Sequence, residues 1–369
     1  MRPTKTLWEI CQIRTGKKDA NYWTDDGQYA FFTCWKEILK APDYSFDTEA
    51  ILIAWNWDVW DCKYYKWKFE AYQRTYVLDD FDERIDIHYA FHLLSWKLKW
   101  HVLKQIKWSA IPYIKLWALQ NFEIPLPPLE TQKAIVAKLD QIFAELDQTR
   151  SEIQKNLDNT DELWKSSLNQ AFQGDWEVKK LGEITKIIWW WTPSKSNKSY
   201  YENWDISRAT VRDMSEDTIT DTELNITELW LKNSSSNIVP KEWIVIATRV
   251  WLWKVCYLWK ETAINQDLKG IIPHKWIKKE YLFYYFKSIS DYIISNWTWA
   301  TVKWVSLDFV KELKIPFLSV SEQEKIVEHL DQISKEVKEL KSKYQSQLDN
   351  LEELKKSVLD KAFKWELGE

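Results

Sequence analysis

Glycine is nearly missing from this chain: 6 of 369 residues are glycine, where an ordinary usage of about 7% would give roughly four times as many. No G-x-x-x-x-G-K-[ST] loop can be found, even with every tryptophan read as glycine, so a nucleotide-driven motor is not indicated. The cysteines Cys11, Cys34, Cys62 and Cys256 are scattered without a C-x-x-C pair. That excludes a disulfide framework and makes a reducing cytoplasm the expected compartment. No apolar run approaches the roughly 20 residues of a membrane span, and the N-terminus lacks a signal-peptide pattern, so no membrane is expected as a partner. Catalytic motifs are also lacking. The one Pro-Pro, in "LPPLE" (126–130), reads as a helix start and not as the Asn-Pro-Pro-aromatic motif of an adenine methyltransferase. Glu-x-Lys triplets such as "ELK" (312–314, 339–341, 353–355) are too degenerate to indicate a nuclease.

Tryptophan is over-supplied, with 27 copies. Three stand together in "KIIWWWTPSKSNKSY" (186–200), before a Thr-Pro-Ser turn. Turns ordinarily use Gly, Pro, Asn, Asp and Ser, which meet turn backbone angles or bond their own backbone. Glycine and tryptophan together number 33, a total that would suit a protein with many glycines and a few tryptophans.

The chain contains itself twice, and this is the strongest clue to architecture. Residues 129–174 align without gaps on 320–365, with 20 of 46 positions identical at a constant offset of 191. The register extends upstream, where Ile124-Pro125 matches Ile315-Pro316 and Trp108 falls on Trp299. A second match, at offset 174, sets "TLWEI" (6–10) on "KLGEI" (180–184). Both long segments read as helices, with apolar residues in alternating steps of about four and three. Ile135, Leu139, Ile142, Leu146, Ile153 and Leu157 form one seam; Ile326, Leu330, Ile333, Val337, Leu340, Tyr344, Leu351, Leu354 and Val358 form the other. This is a coiled-coil pattern, made imperfect by Thr149 and Thr160, and each helix would run roughly 65 Å. Pro127-Pro128 suits the start of the first helix, and "SEQE" (321–324) reads as a capping box for the second. Two ordinary amphipathic core helices are the plainer alternative; length, seam and duplication favour a paired spacer.

Two units of similar size accompany the helices, each mixing strand-like runs ("EAILIAW", "EWIVIATRV") with a helical run near its end ("HYAFHLLSWKL", "KEYLFYYFKSI"). The expected fold is α+β. It has a first mixed domain over 1–126, a spacer helix over 127–174, a second mixed domain over 175–317 and a spacer helix over 318–369. Pseudo-two-fold symmetry and antiparallel helices are expected.

That order, with "NFEIPLPPLETQKAIVAKLDQIFAELD", "KELKIPFLSVSEQEKIVEHLDQI" and "LDNLEELKKSVLDKAFKWEL", resembles the specificity subunit of type I restriction-modification systems. "FEAYQRTYVL" (69–78), "DISRATVRDM" (205–214) and "TAINQDLKGIIP" (262–273) are similar to stretches of its target-recognition domains. The resemblance implies a non-catalytic subunit whose two recognition domains each read half of a split site in double-stranded DNA. It implies helices that space the halves and dock two methyltransferase subunits, with restriction/translocase subunits joining. No cofactor is expected in this chain; S-adenosylmethionine, and ATP with magnesium, would belong to the partner subunits.

The repeat also bears on the tryptophans. Trp365 falls on Gly174, just past a helix end where a left-handed backbone favours glycine, and Trp8 falls on Gly182. "AWNWDVWD" (54–61), "RVWLWKV" (249–255) and "SNWTWATVKW" (295–304) would all make ordinary glycine-rich turns, and the family commonly has glycine at these positions. The expectation is that UGA codons read as glycine in the source have been translated as tryptophan, making 189–194 a Gly-Gly-Gly-Thr-Pro-Ser loop. Trp176, Trp100 and Trp164 read as genuine.

Net charge is −4, which does not describe a uniformly basic DNA binder. Segments 129–173 and 320–366 carry −3 and −2, leaving +1 for the remainder. Basic loops there can neutralise phosphates, while Arg, Asn and Gln can read base edges. In the first domain Lys17, Lys18, Asn21, Gln73, Arg74, Lys107 and Ser109 are the candidates. In the second they are Ser194, Lys195, Asn197, Arg208, Arg212, Arg249, Lys254 and Lys303. Each is equally readable as solvated surface. His88 and His92 stand i, i+4 but lack a third ligand nearby, which favours packing over metal binding. A coiled-coil adaptor with protein-binding end domains is the rival reading. Strongly diverged end units favour DNA, since two different half-sites need two readers.

Overall fold

The computed structural model describes residues 3–55, 61–103, 113–189, 206–228, 238–297 and 304–364. The chain divides into two compact units, Met1–Gln154 with Gln345–Glu369, and Lys155–Tyr344.

In the first unit a six-stranded sheet runs β2(Gln12–Thr15), β7(Thr75–Asp79), β5(Phe46–Ala54), β6(Cys62–Ala71), β3(Tyr29–Phe32), β4(Leu39–Ala41). Its pairs are antiparallel except β3 with β6. Strand alternation divides β5 between two cores. Ile51 and Ile53, with Leu78, pack against Leu93, Leu94 and Leu98 of α2(Ile87–Leu103). Ala50 and Leu52, with Val77, pack against Phe32, Phe46 and Phe69.

The second unit holds a five-stranded sheet, β10(Thr185–Ile188), β18(Leu268–Pro273), β15(Ile244–Ala247), β16(Val255–Leu258), β12(Thr218–Ile219). Beside it lies a four-stranded sheet, β13(Leu224–Ile226), β11(Ile206–Ala209), β17(Thr262–Ile264), β14(Ile238–Val239). Here Ile244 and Ile246 face the core with Tyr281, Leu282 and Phe286 of α6(Lys279–Ser288), while Val245 and Ala247 face the core with Ala263 and Ile264.

Each unit also carries the same small ladder. In the first, β1(Thr4–Thr6) pairs with β8(Glu123–Pro125), Lys5 opposite Ile124. In the second, β9(Val178–Lys180) pairs with β19(Lys314–Pro316), Lys179 opposite Ile315. Leu7 N donates to Phe122 O at 3.0 Å and Leu181 N to Leu313 O at 2.8 Å. The sequence offsets of 174 and 191 therefore meet across one ladder in each unit.

Two long helices, α4(Leu129–Ala171) and α9(Val320–Lys364), have 43 and 45 residues and no interior Gly or Pro. In the first unit Val136 and Leu139 of α4 share a core with Val358, Leu359, Ala362 and Phe363 of α9. Arg150 there pairs with Glu352 at 2.6 Å, and the Lys355 ammonium lies 4.9 Å from the Phe143 ring centre. In the second unit Leu168 of α4 shares a core with Val327 and Leu330 of α9, and Lys341 pairs with Asp161. Within the first unit, 143 meeting 355 and 150 meeting 352 is an antiparallel register.

Three expectations need correction. The capping box of α9 is formed by Ser319, whose N and Oγ donate to Glu322 Oε2 at 2.9 and 2.6 Å, because the helix begins at Val320 rather than after Ser321. Leu340 and Leu354, assigned to the seam, are 36% and 48% exposed; the steps of three and four carry them past the packed face. Gly174 is not left-handed, since no described glycine has positive φ, and it lies beyond Ala171, where α4 ends. A Cβ there would instead meet the Trp176 indole at 2.3 Å. Trp365 lies outside the described residues.

Candidate nucleic-acid interface

In the first unit, one loop gathers the candidate segments. Tyr72 to Thr75 joins β6 to β7 and closes on itself through Thr75 N to Tyr72 O, 2.8 Å. Gln73 N donates to Lys18 O at 2.9 Å, and Gln73 Nε2 to Asp19 Oδ1 at 3.0 Å. Trp55 N donates to Arg74 O at 2.8 Å, and Ile114 N donates to Trp55 O at 2.9 Å. The stretches 14–21, 72–75 and 113–115 therefore converge. Lys17, Asn21, Gln73 and Arg74 are exposed there and Lys18 is half-buried. The Lys18 ammonium sits 4.1 Å from the Tyr22 ring centre, and bonding to the Tyr22 hydroxyl pushes its pKa up. Gly16 is required at this junction. Its N donates to Thr75 O at 3.2 Å, and a Cβ would lie 2.0 Å from Ala71 O, a distance no side chain tolerates. Lys107 and Ser109 lie outside the described residues.

The second unit repeats the device. Asn265 to Leu268 joins β17 to β18, with Leu268 N bonded to Asn265 O at 3.1 Å. Thr248 N donates to Asp267 O at 2.7 Å, and Val305 N donates to Thr248 O at 2.9 Å. Gln266 thus stands where Gln73 stands in the first unit. A cavity of about 600 Å³ is lined by Arg208, Thr210, Arg212, Asn265, Gln266 and Asp267 among others. Arg208 is buried on β11. Arg212 is exposed on a turn fixed by Asp213 Oδ2, which accepts from Thr210 N at 2.6 Å. Arg249 lines a second cavity, of about 240 Å³, that shares Gln266 with the first. Lys254 is not brought to these groups: its Nζ donates to Met214 O at 2.9 Å, and it lines a third cavity with Lys165 and Lys287. Ser194, Lys195, Asn197 and Lys303 lie outside the described residues.

Sequence reasoning missed Gln266 and Lys269 of this cluster. The signal was available, since "AYQRTYVL" and "INQDLKGI" carry Gln at the same step of one loop. Among the described residues no group of three His, Cys, Asp or Glu could hold a metal ion. His92 is instead a packing residue; its Nε2 lies 3.1 Å from Asp140 Oδ1, and burial pushes its pKa down. No described helix is long and apolar enough to cross a membrane.

The specificity subunit of the EcoDI enzyme of Escherichia coli is 35% identical over 152 residues, 41% of this chain and 33% of that protein. The EcoR124I/EcoR124II specificity subunit of Escherichia coli is 28% identical over 230 residues, 59% of this chain and 57% of that protein. The MjaIX specificity subunit of Methanocaldococcus jannaschii is 31% identical over 172 residues, 44% of this chain and 40% of that protein. The chain thus spans between a third and three-fifths of the length of these curated relatives. A chain solved in work on complex assembly and conformational transition of the type I R-M system superposes with a TM-score of 0.77, at 19% identity over 98% of both chains. The HsdS subunit from Thermoanaerobacter tengcongensis superposes with a TM-score of 0.56, at 18% identity over 98% of this chain and 96% of that one; both likenesses concern the fold. The sequence profile of the type I restriction modification DNA specificity domain matches residues 3–167 and 173–350, so with most of its length matched the chain belongs to that family.

Proposed function

We propose that this chain is the DNA-recognition subunit of a type I restriction-modification complex and has no catalytic activity of its own. Each unit reads one half of a bipartite site. The paired helices act as a coiled-coil spacer that sets the distance between halves and docks two methyltransferase subunits; restriction/translocase subunits join the assembly. S-adenosylmethionine, and ATP with magnesium, belong to those partners, and the complex works in the cytoplasm. In this reading the domains are 1–126 and 175–317, and the helices span 127–174 and 318–369.

The observation that carries the proposal is one loop scaffold built twice with different side chains. Tyr72–Thr75 and Asn265–Leu268 make corresponding backbone bonds, yet one presents Gln73 and Arg74 and the other Gln266 and Asp267. Matching scaffolds with unlike surfaces suit two readers of unlike half-sites. A gel-shift with co-expressed methyltransferase tests this directly: a sequence-selective shift is expected, and its absence would reject DNA recognition in favour of a protein-binding adaptor.

The recoding of glycine as tryptophan is part of the same reading. The offset of 174 places Trp190 on Gly16, the glycine whose Cβ would strike Ala71 O at 2.0 Å. Trp253 has φ 63° while only 1% exposed, a backbone conformation that favours glycine. Its indole is nonetheless housed, with Nε1 donating to Phe286 O at 3.0 Å. Tryptic mass spectrometry of the native protein separates the alternatives: glycine masses are expected in the peptides spanning 187–195 and 250–254, and tryptophan masses there would end the idea.

A further inference from the structure

Lys269 is a lysine inside a sheet. It sits on β18 opposite Ile246 of β15 and is 7% exposed. Its Nζ donates to two carbonyls, Gln266 O at 2.7 Å and Leu268 O at 3.1 Å, neither of which compensates a full charge. A buried ammonium without a counter-ion is costly. The nearby acid, Asp267, accepts from Asn265 Nδ2 at 2.9 Å. Burial pushes the Lys269 pKa down to about 8; repulsion from Arg249 adds to this and Asp267 opposes it.

Lys269 and Arg249 line the same cavity of about 240 Å³, together with Thr248, Gln266, Val305, Leu307 and the indoles of Trp189 and Trp304, the ring centre of the latter 5.3 Å from the Arg249 guanidinium. Glycine at 189 and 304 would widen the cavity and leave both cations on it. Two cations on one cavity set up an anion site. The first unit shows that the scaffold does not itself demand this charge. Strands β2 and β7 pair Ile13 with Leu78, as β10 and β18 pair Ile187 with Ile271. At that register Lys269 corresponds to Tyr76, a buried neutral phenol whose hydroxyl donates to Ile114 O at 2.9 Å.

We propose that Lys269 and Arg249 form a phosphate site that receives a backbone phosphate of the DNA held by the second unit. The proposal rests on the DNA-recognition reading above and deepens it. Docked phosphate would hold Lys269 charged, so the complex would take up a proton wherever the free lysine is neutral. Affinity is then full below about pH 8 and falls as pH rises above it, by up to about tenfold per pH unit. The first unit, with Tyr76 in this place, contributes no such dependence.

The test measures duplex affinity of the full chain with its methyltransferase partner, against salt and against pH, on a duplex carrying the site found by methylome sequencing. Lys269→Met is expected to reduce the slope of log affinity against log salt by about one and to flatten the fall above about pH 8. Lys269→Arg is expected to keep the slope and flatten the pH profile, and it decides the matter if Lys269→Met does not fold. Wild-type slope and pH profile in Lys269→Met, or a wild-type profile in Lys269→Arg, would overturn the site. Inorganic phosphate supplies the second arm. If it raises the melting temperature only when Lys269 is present, while the wild type binds no duplex, the site serves free phosphate; the recognition reading and the DNA-phosphate assignment then both fall. If the wild type binds duplex but the variants leave slope and profile untouched, the assignment alone falls.

Discussion

Gln132 and Gln323, 191 residues apart, make the same three hydrogen bonds. Gln132 Nε2 donates to Arg84 O and Pro127 O, both at 2.9 Å, and its Oε1 accepts from Asp86 N at 2.8 Å. Gln323 Nε2 donates to Trp276 O at 3.1 Å and Leu318 O at 2.9 Å, and its Oε1 accepts from Lys278 N at 2.8 Å. Both residues are wholly buried. Each amide ties the first turn of a long helix to the loop before the packing helix of its own unit.

Replacing either glutamine by leucine strands one backbone N–H and two carbonyls. A loss of about 2 to 3 kcal/mol is expected for each variant, read as a lower urea midpoint. A loss within about 0.5 kcal/mol would show that water replaces the amide.

Gly16→Ala places a methyl 2.0 Å from Ala71 O, a backbone atom that cannot turn aside. The variant should lose more than about 2 kcal/mol and with it recognition of one half-site. Calorimetry and methylation of single half-site mutants check both effects; a wild-type melt would refute the close packing.

Much of this was legible in the sequence. The long helices announce themselves because a seam of Ile, Leu and Val persists over both copies. The ladders were foreshadowed by the two offsets, since "TLWEI" and "KLGEI" each begin on the last residue of a strand whose partner lies just before a helix start. What failed were features set by one residue's position against a helix end. Ser319 and Ser321 are equally good caps in isolation, and only the first helical residue decides between them. Lys269 was invisible because a lysine in "QDLKGIIP" reads as a solvent-facing step of a strand. It lies instead on the face of Ile246 and Ile271, closed over by Thr248, Arg249, Val305 and Leu307. Gln266 was missed although "AYQRTYVL" and "INQDLKGI" both carry Gln, because it is the matching bonds of the folded loops that set those two stretches in register.

The exposed arginines Arg74 and Arg212 should act on DNA and hardly at all on folding. Changing either to alanine should alter stability by no more than about 0.5 kcal/mol and reduce the salt slope of duplex binding by about one. An unchanged slope would place that arginine off the DNA.

His92 gives the first unit an acid limit. Burial holds its folded pKa below the ordinary value, outweighing the Asp140 contact, so folding favours the neutral ring. This contribution is complete above the unfolded pKa of about 6.5 and is lost as pH falls below it. His92→Phe should remove that part of the decline in urea midpoint; an identical decline in the variant would assign it to other groups.

If the helices are a ruler, deleting about seven residues of matching seam from both α4 and α9 removes roughly 10 Å. The gap between half-sites should shorten by about three base pairs. An unchanged gap would refute the ruler while leaving recognition intact.

The most direct measurement of the central claim is methylome sequencing of a host that expresses this chain with its methyltransferase subunit. The account predicts modified adenines at one asymmetric bipartite motif, absent when the methyltransferase is expressed alone. Modification that is missing, or that is the same with and without this chain, would contradict it.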